Sequence, residues 1–249
     1  MAEYALSLDP RNPGHYFACC GLLELAEALA PASEAWFSDD GRKFTIATGA
    51  LLPPRGLRLA PRVDQNDVEV TLEPLIVEFI GGQLYLDWWL NETHAEKSRL
   101  KTWGGQQTPR RVLEELLRLA DGDVHFEDLF DFGIYTKTRL GVDGRSAWEA
   151  LDAGYSPNDL NQDAMTYPWV EVLAAMGLQG FRPSAERVRE RGQYWYEYTT
   201  WFTPLTVAPA RAACATRWAG LSSKPFRFRI AARGQGYKTF LFAEEVMND

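Results

Sequence analysis

Apolar and polar positions alternate from Tyr4 to Leu8, and apolar residues then run almost unbroken from Tyr16 to Leu29. The first pattern predicts a strand. The second predicts a helix buried nearly all round, because only Glu24 and Glu27, three residues apart, mark a wet stripe. Between them Asp9 to Pro13 reads as a turn. Asn12 is a good N-cap, and Pro13 suits the first helical position, where no amide donor is needed. The amides of Gly14 and His15 then lie at a helix N-terminus, a place that favours an anion. The alternative is that strand, turn and helix are only the nucleus of the fold.

Glu34 to Phe37 and Lys43 to Thr48 read as two strands joined by a hairpin at Asp40-Gly41. Beyond a segment holding Pro53, Pro54 and Pro61, Val68 to Leu72 alternates as a strand. Leu75 to Ile80 and Leu84 to Leu90 predict a second hairpin around Gly81-Gly82. The middle changes character. Asn91 to Leu100 is polar and helix-prone, and Lys101 to Gln107 is a polar, glycine-bearing loop. Thr108 and Pro109 open a helix over Arg110 to Ala120, with Val112, Leu113, Leu116, Leu117 and Ala120 on one face. An acidic connector over Asp121 to Asp131, a strand within Gly133 to Leu140, a short helix over Ser146 to Leu151 and a polar loop over Pro157 to Met165 follow. Pro168 to Met176 is a second apolar helix, with Gly177 as its C-cap. In the last third, Gln193 to Leu205 is rich in Tyr, Trp and Thr and reads as strand. Phe226 to Ala232 and Tyr237 to Phe242 pair across a turn at Arg233 to Gly236. The class is α+β: a single domain over residues 1–249, with a helical insertion at about 91–180 inside an α+β core formed by 1–90 and 181–249.

The net charge of −8 argues against a free-standing nucleic-acid binder, yet it is unevenly spread. From Arg182 to Ala243 eleven basic residues face three acids, a balance of +8 that leaves −16 on the remainder. That third reads either as a localised phosphate-binding face or as a solvated or subunit-facing surface. Arg outnumbers Lys there, which suits planar, bidentate contacts. In Phe226 to Ile230 apolar and basic residues alternate, so one face enters the core and the other presents guanidinium groups. A second basic group, Lys97, Arg99, Lys101, Arg110 and Arg111, surrounds the glycine-bearing loop, with Glu92, Glu96, Glu114 and Glu115 at helical spacing for ion pairing. Nine Trp and ten Tyr can fill a core, anchor an interface or stack on bases.

Cys19, Cys20 and Cys214 form no C-x-x-C pair, so neither a disulfide framework nor a zinc site is expected, and a reducing cytoplasm is. No basic segment precedes the first apolar run, and Glu24 breaks it before it could span a bilayer, so a cytoplasmic protein without a membrane segment is expected. G-x-S-x-G, H-E-x-x-H and Walker A motifs are absent. Gly234 to Thr239 comes nearest to a nucleotide loop and reads better as a hairpin turn. His15, His94 and His125 are isolated, and the acids Asp121, Asp123, Glu127, Asp128 and Asp131 lack EF-hand spacing.

Three regions carry a resemblance: LDPRNPGHYFACCGLLELAEAL near the start, LKTWGGQQTPRRVLEEL in the middle, and RLGVDGRSAWEALDAGYSPNDL followed by YPWVEVLAAMGLQGFRP. In this order and spacing they resemble the accessory-subunit family of type I-U, also called I-G, CRISPR–Cas operons. The resemblance implies a non-catalytic subunit of a bacterial RNA-guided surveillance complex (Cascade), with no cofactor. Its partners would be crRNA and/or target DNA and the other Cascade subunits, and its core ferredoxin-like, of the RNA-recognition type. Under that expectation Arg182, Arg187, Arg189, Arg191, Arg227, Arg229, Arg233 and Lys238 would meet phosphates. Lys101, Gln106, Gln107 and Arg110 would make a second contact, and Trp103 would stack, wedge or anchor its loop in the core. Two alternatives stand beside it: a metal-independent endoribonuclease that matures crRNA, with His15 as its base, and a scaffold that contacts only protein.

Overall fold

The computed structural model describes residues 1–53, 56–61, 74–89, 98–104, 107–147, 163–187, 194–215, 221–234 and 237–247, with the backbone alone at 187, 233 and 234. The expected strand at Val68 to Leu72 and most of the polar helix at Asn91 to Leu100 lie outside them. In chain order the elements are β1 (Ala2–Ser7), α1 (Pro13–Leu29), β2 (Glu34–Phe37), β3 (Lys43–Thr48), β4 (Arg58–Leu59), β5 (Leu75–Phe79), β6 (Gly82–Leu86), α2 (Pro109–Ala120), β7 (Ile134–Thr136), β8 (Ala164–Thr166), α3 (Pro168–Gly180), β9 (Ser184–Arg187), β10 (Tyr194–Trp201), α4 (Val207–Ala215), β11 (Ser223–Phe228), β12 (Ile230–Gly234), β13 (Tyr237–Phe240) and β14 (Glu244–Glu245).

Helix α1 starts where Asn12 and Pro13 require. The Asn12 side chain accepts the Gly14 amide at 3.0 Å, and Pro13 occupies the first turn. Every residue from Pro13 to Ala26 is buried, and what buries them comes from three directions. The sheet β1-β3-β2 supplies Phe37 and Phe44. The sheet β14-β11-β10-β9 supplies Tyr198, whose ring lies 4.2 Å from that of Tyr16, and Phe228 against Phe17. Helix α3 lies along the third side. Buried polar tips are satisfied across these layers: Tyr16 Oη donates to Thr199 O at 2.9 Å, Tyr198 Oη to Pro10 O at 2.7 Å and Trp201 Nε1 to Ala35 O at 2.7 Å.

The α1–α3 contact depends on two glycines. A Cβ on Gly21 would sit 2.0 Å from the Leu173 carbonyl oxygen, and one on Gly177 2.0 Å from that of Phe17. The two backbones touch at this crossing, which any side chain would prevent. The expectation that Gly177 caps the helix is therefore corrected: α3 continues to Gly180 and closes at Phe181, whose amide donates to Gly177 O. The wet stripe expected on α1 is corrected as well. Glu24 is 5% exposed, and both its oxygens are held by Arg211 of α4, at 2.7 and 2.6 Å.

The C-terminal pairing differs from the expected long hairpin. Phe226 and Phe228 belong to β11, which pairs with β10 and β14, whereas β12 pairs with β13. The chain changes sheets at Arg229, because Phe226 and Phe228 are claimed by the aromatic core around Tyr198. The strand expected within Gly133 to Leu140 is three residues long, β7, and a 3-10 turn follows at Gly144–Ser146; most of the short helix expected over Ser146 to Leu151 lies outside the described residues.

The fold is α+β, with four helices and several small antiparallel sheets among the described residues. The expected ferredoxin-like topology does not emerge from them: the N- and C-terminal sheets stay separate, and the isolated bridge from Ala35 to Leu205 links β2 to the chain that follows β10. The α3 helix, which falls inside the segment read as an insertion, joins the same hydrophobic cluster as α1, β10 and β11. No helix among the described residues is long and apolar enough to cross a membrane.

Candidate nucleic-acid interface

The segment Arg139 to Ser146 is clamped onto the start of α1 by buried polar groups. Glu171 of α3 is fully buried, and its carboxylate accepts the amides of Leu140 (2.6 Å), Gly141 (2.9 Å) and Asp143 (3.3 Å). Burial, with help from the neighbouring Asp143 charge, pushes its carboxyl up to about 7 against the pull of those three amides. Asn12 binds the same segment twice: its oxygen accepts the Gly144 amide at 2.9 Å, and its nitrogen donates to Asp143 Oδ1 at 2.8 Å. Burial would raise the Asp143 carboxyl, but bonds and charge from Arg145 outweigh it and hold the group below its usual value. A Cβ on Gly14 would lie 2.7 Å from Asp143 Cα. The chain's own loop thus covers the α1 N-terminus, where an external anion was one of the two expectations.

His15 sits inside this assembly, 6% exposed and stacked on Phe130 at 5.0 Å. Its Nδ1 accepts the Asp9 amide at 3.1 Å, which leaves the proton of the neutral ring on Nε2, a buried atom with no hydrogen-bond partner among the described residues. Burial lowers its pKa to about 4, against the opposing pull of Asp143.

The carbonyl side of the clamped segment holds two of the predicted basic elements together. Thr102 Oγ1 donates to Leu140 O, Phe240 N to Gly141 O at 2.8 Å and Thr239 Oγ1 to Gly141 O at 3.2 Å. Lys238 N in turn donates to Thr102 O at 2.7 Å. Lys101 and Lys238, 137 positions apart in the chain, therefore flank one hydrogen-bonded junction. Lys101 Nζ lies 5.6 Å from the Trp103 ring.

Other predicted residues are placed differently. Trp103 is 3% exposed and packs with Trp88 and Trp89, so it anchors the loop in the core and has no face open to a base. Arg110 pairs with Glu114 at 3.1 Å and also donates to Ala60 O. Arg182 donates to Gln179 O and Trp88 O and reaches Asp87 at 4.0 Å, tying the end of α3 to the segment after β6. Gln107 closes the loop through its amide to Gly104 O. Gln106, Arg189 and Arg191 lie outside the described residues, and Arg187 and Arg233 are described by backbone alone, in β9 and β12.

Arg227 and Arg229 are both exposed, on the outer face of the β14-β11-β10-β9 sheet. Tyr196 pairs with Phe228 and Glu197 with Arg227, so Trp195 shares the Arg face, diagonal to Arg227 and level with Arg229 one step past the end of the ladder. Their carbon atoms lie 4.8 Å (Arg227) and 5.2 Å (Arg229) from the indole centroid. Arg227 is also bonded to Glu244 at 2.7 Å, and Lys224 lies 3.7 Å from Glu245. Arg229 has no acid within ion-pair distance among the described residues. Sequence reasoning passed over Trp195. The signal was the alternation in Tyr194-Trp195-Tyr196-Glu197-Tyr198, which puts Trp195 and Glu197 on the face opposite the buried tyrosines.

No group of three or more His, Cys, Asp or Glu side chains able to hold a metal ion occurs among the described residues. A scan against protein-family models, a search of curated proteins and a search of solved structures each returned no match.

Proposed function

We propose that this protein is a non-catalytic subunit of a type I CRISPR–Cas surveillance complex, of the I-U (I-G) kind, which holds crRNA or target DNA by its backbone while guide pairing supplies the sequence. The observation that carries this reading is the exposed pair Arg227 and Arg229 around Trp195 on an antiparallel sheet. Planar cations and an aromatic ring on one open face are the chemistry that phosphates and bases require. The order of the three resembling regions supports it from the sequence side. In this proposal the protein works in the bacterial cytoplasm beside the other Cascade subunits, and the unit β1-α1-β2-β3 is one half of an RNA-recognition-type sheet. An endoribonuclease built on His15 finds less support, because that ring is buried and its Nδ1 is occupied.

The test is the salt dependence of binding to crRNA or target DNA by wild type and by the triple variant Arg227→Ala, Arg229→Ala, Arg233→Ala. Removing each arginine that meets a phosphate should flatten the slope of log affinity against log salt by about 0.7 on a single strand or about 0.9 on duplex DNA. An unchanged slope would reject this face. Co-expression with the operon neighbours and a CRISPR array tests the assembly itself: crRNA and Cascade subunits should co-purify, and recovery of the protein alone would reject the subunit role.

A further inference from the structure

The outer sheet face also indicates what form of nucleic acid it takes. We infer that Trp195 is a stacking platform for an unpaired base, so that the ligand of this face is single-stranded; this rests on the nucleic-acid reading above. Trp195 is the aromatic residue of β10 that points away from the core, while Tyr196 and Tyr198 on the same strand are buried. It stands on a hydrogen-bonded strand rather than on a loop, paired with Glu186 of β9 and one residue before the β10–β11 ladder that starts at Tyr196 and Phe228. In a duplex the faces of the bases are stacked on one another and closed to a side chain that rises from a sheet. In a single strand they are open, and stacking is how sheets with exposed aromatic residues hold unpaired bases.

The two arginines play unequal parts. Arg227 is flanked by Glu197 in register and bonded to Glu244, so its charge is largely answered within the protein. It serves to hold the indole. Arg229 lies over the same ring at 5.2 Å without an ion pair among the described residues. A base that takes its place on the indole keeps the ring covered, and the released guanidinium turns its donors to the neighbouring phosphate. Stacking and phosphate binding are thereby coupled through one residue exchange. The acids Glu186, Glu197 and Glu244 on this face limit the electrostatic attraction, which gives base stacking the larger share of the binding.

The experiment measures binding of the full chain to a fluorescently labelled pyrimidine 20-mer and to the same strand annealed to its complement, across a salt series. Single strand should bind at least tenfold more tightly than duplex. Trp195→Leu should weaken single-strand binding by about tenfold to a hundredfold with little change for duplex, and Trp195→Phe should restore most of the loss. Arg229→Ala should flatten the salt slope, whereas Arg227→Ala should leave it nearly unchanged. Circular dichroism identifies any variant that fails to fold, and the Trp195→Phe and Arg229→Ala results decide the matter if Trp195→Leu does. Equal affinity for duplex and single strand, or full affinity in a folded Trp195→Leu protein, overturns the inference and leaves the nucleic-acid reading standing. Binding of neither probe at any salt overturns both.

Discussion

Removing the ionisable group of Glu171 should expose a pH dependence that the native protein conceals. Two buried groups at the start of α1 titrate in opposite senses. Glu171 is raised from 4.5 to about 7, so the folded state favours its protonated form. Its contribution is full below pH 4.5 and lost as pH rises through 7. His15 is lowered from 6.5 to about 4, so the folded state favours its neutral form. Its contribution is full above pH 6.5 and lost as pH falls towards 4. Each shift corresponds to about 3 kcal/mol, at about 1.4 kcal/mol per pH unit. Between pH 4.5 and 6.5 the two slopes oppose one another. In Glu171→Gln the His15 slope stands alone, and stability relative to wild type should rise by about 3 kcal/mol from pH 4.5 to 7. In His15→Gln it should fall, relative to wild type, by a similar amount from pH 4 to 6.5. The amide introduced by Glu171→Gln can still accept the Leu140 and Gly141 amides through its oxygen, but its nitrogen meets the Asp143 donor, which adds a pH-independent cost of about 1–3 kcal/mol. The assay is urea unfolding at half-unit steps from pH 4 to 8 for wild type, both variants and the double variant. Curves for Glu171→Gln and wild type that stay parallel over this window would refute the reasoning, because they would show a carboxylate as ionised in the fold as in the unfolded chain.

The glycine crossing is tested by Gly177→Ala. The added methyl would meet the Phe17 carbonyl oxygen at 2.0 Å, so α1 and α3 must separate, and unfolding should show a loss of about 1–3 kcal/mol or more. A change under about 0.5 kcal/mol would mean the helices do not touch there. Asn12→Ala removes an acceptor for the Gly14 and Gly144 amides and a donor to Asp143. It should cost about 2–4 kcal/mol, clearly more than the ~1 kcal/mol of an ordinary N-cap, as read by chemical denaturation.

Local rules were enough for much of the chain. The turn at Asn12-Pro13, the hairpin at Asp40-Gly41 and the amphipathic face of α2 were legible because capping, positive φ and 3.6-residue spacing act over a few neighbouring residues. The alternation around Arg227 and Arg229 likewise placed both outside the core. What those residues meet depends on segments far away in the chain. Glu24 looked like solvent-facing charge until α4 brought Arg211 to it across 187 positions. Gly177 looked like a helix stop because its close neighbour, Phe17, lies 160 residues earlier. The basic count that ended at Ala243 left out Glu244 and Glu245, whose strand folds back onto β11 and answers Arg227 and Lys224. Charge and exposure follow from which segments come together, and that is set by long-range burial of Tyr16, Phe17, Tyr198 and Phe228 rather than by any local pattern. Alternation along β11 set Arg227 facing outward, because strand geometry is local; the packing of distant segments set which charges stay open to a partner, because it alone brings Glu244 to Arg227 and Arg211 to Glu24.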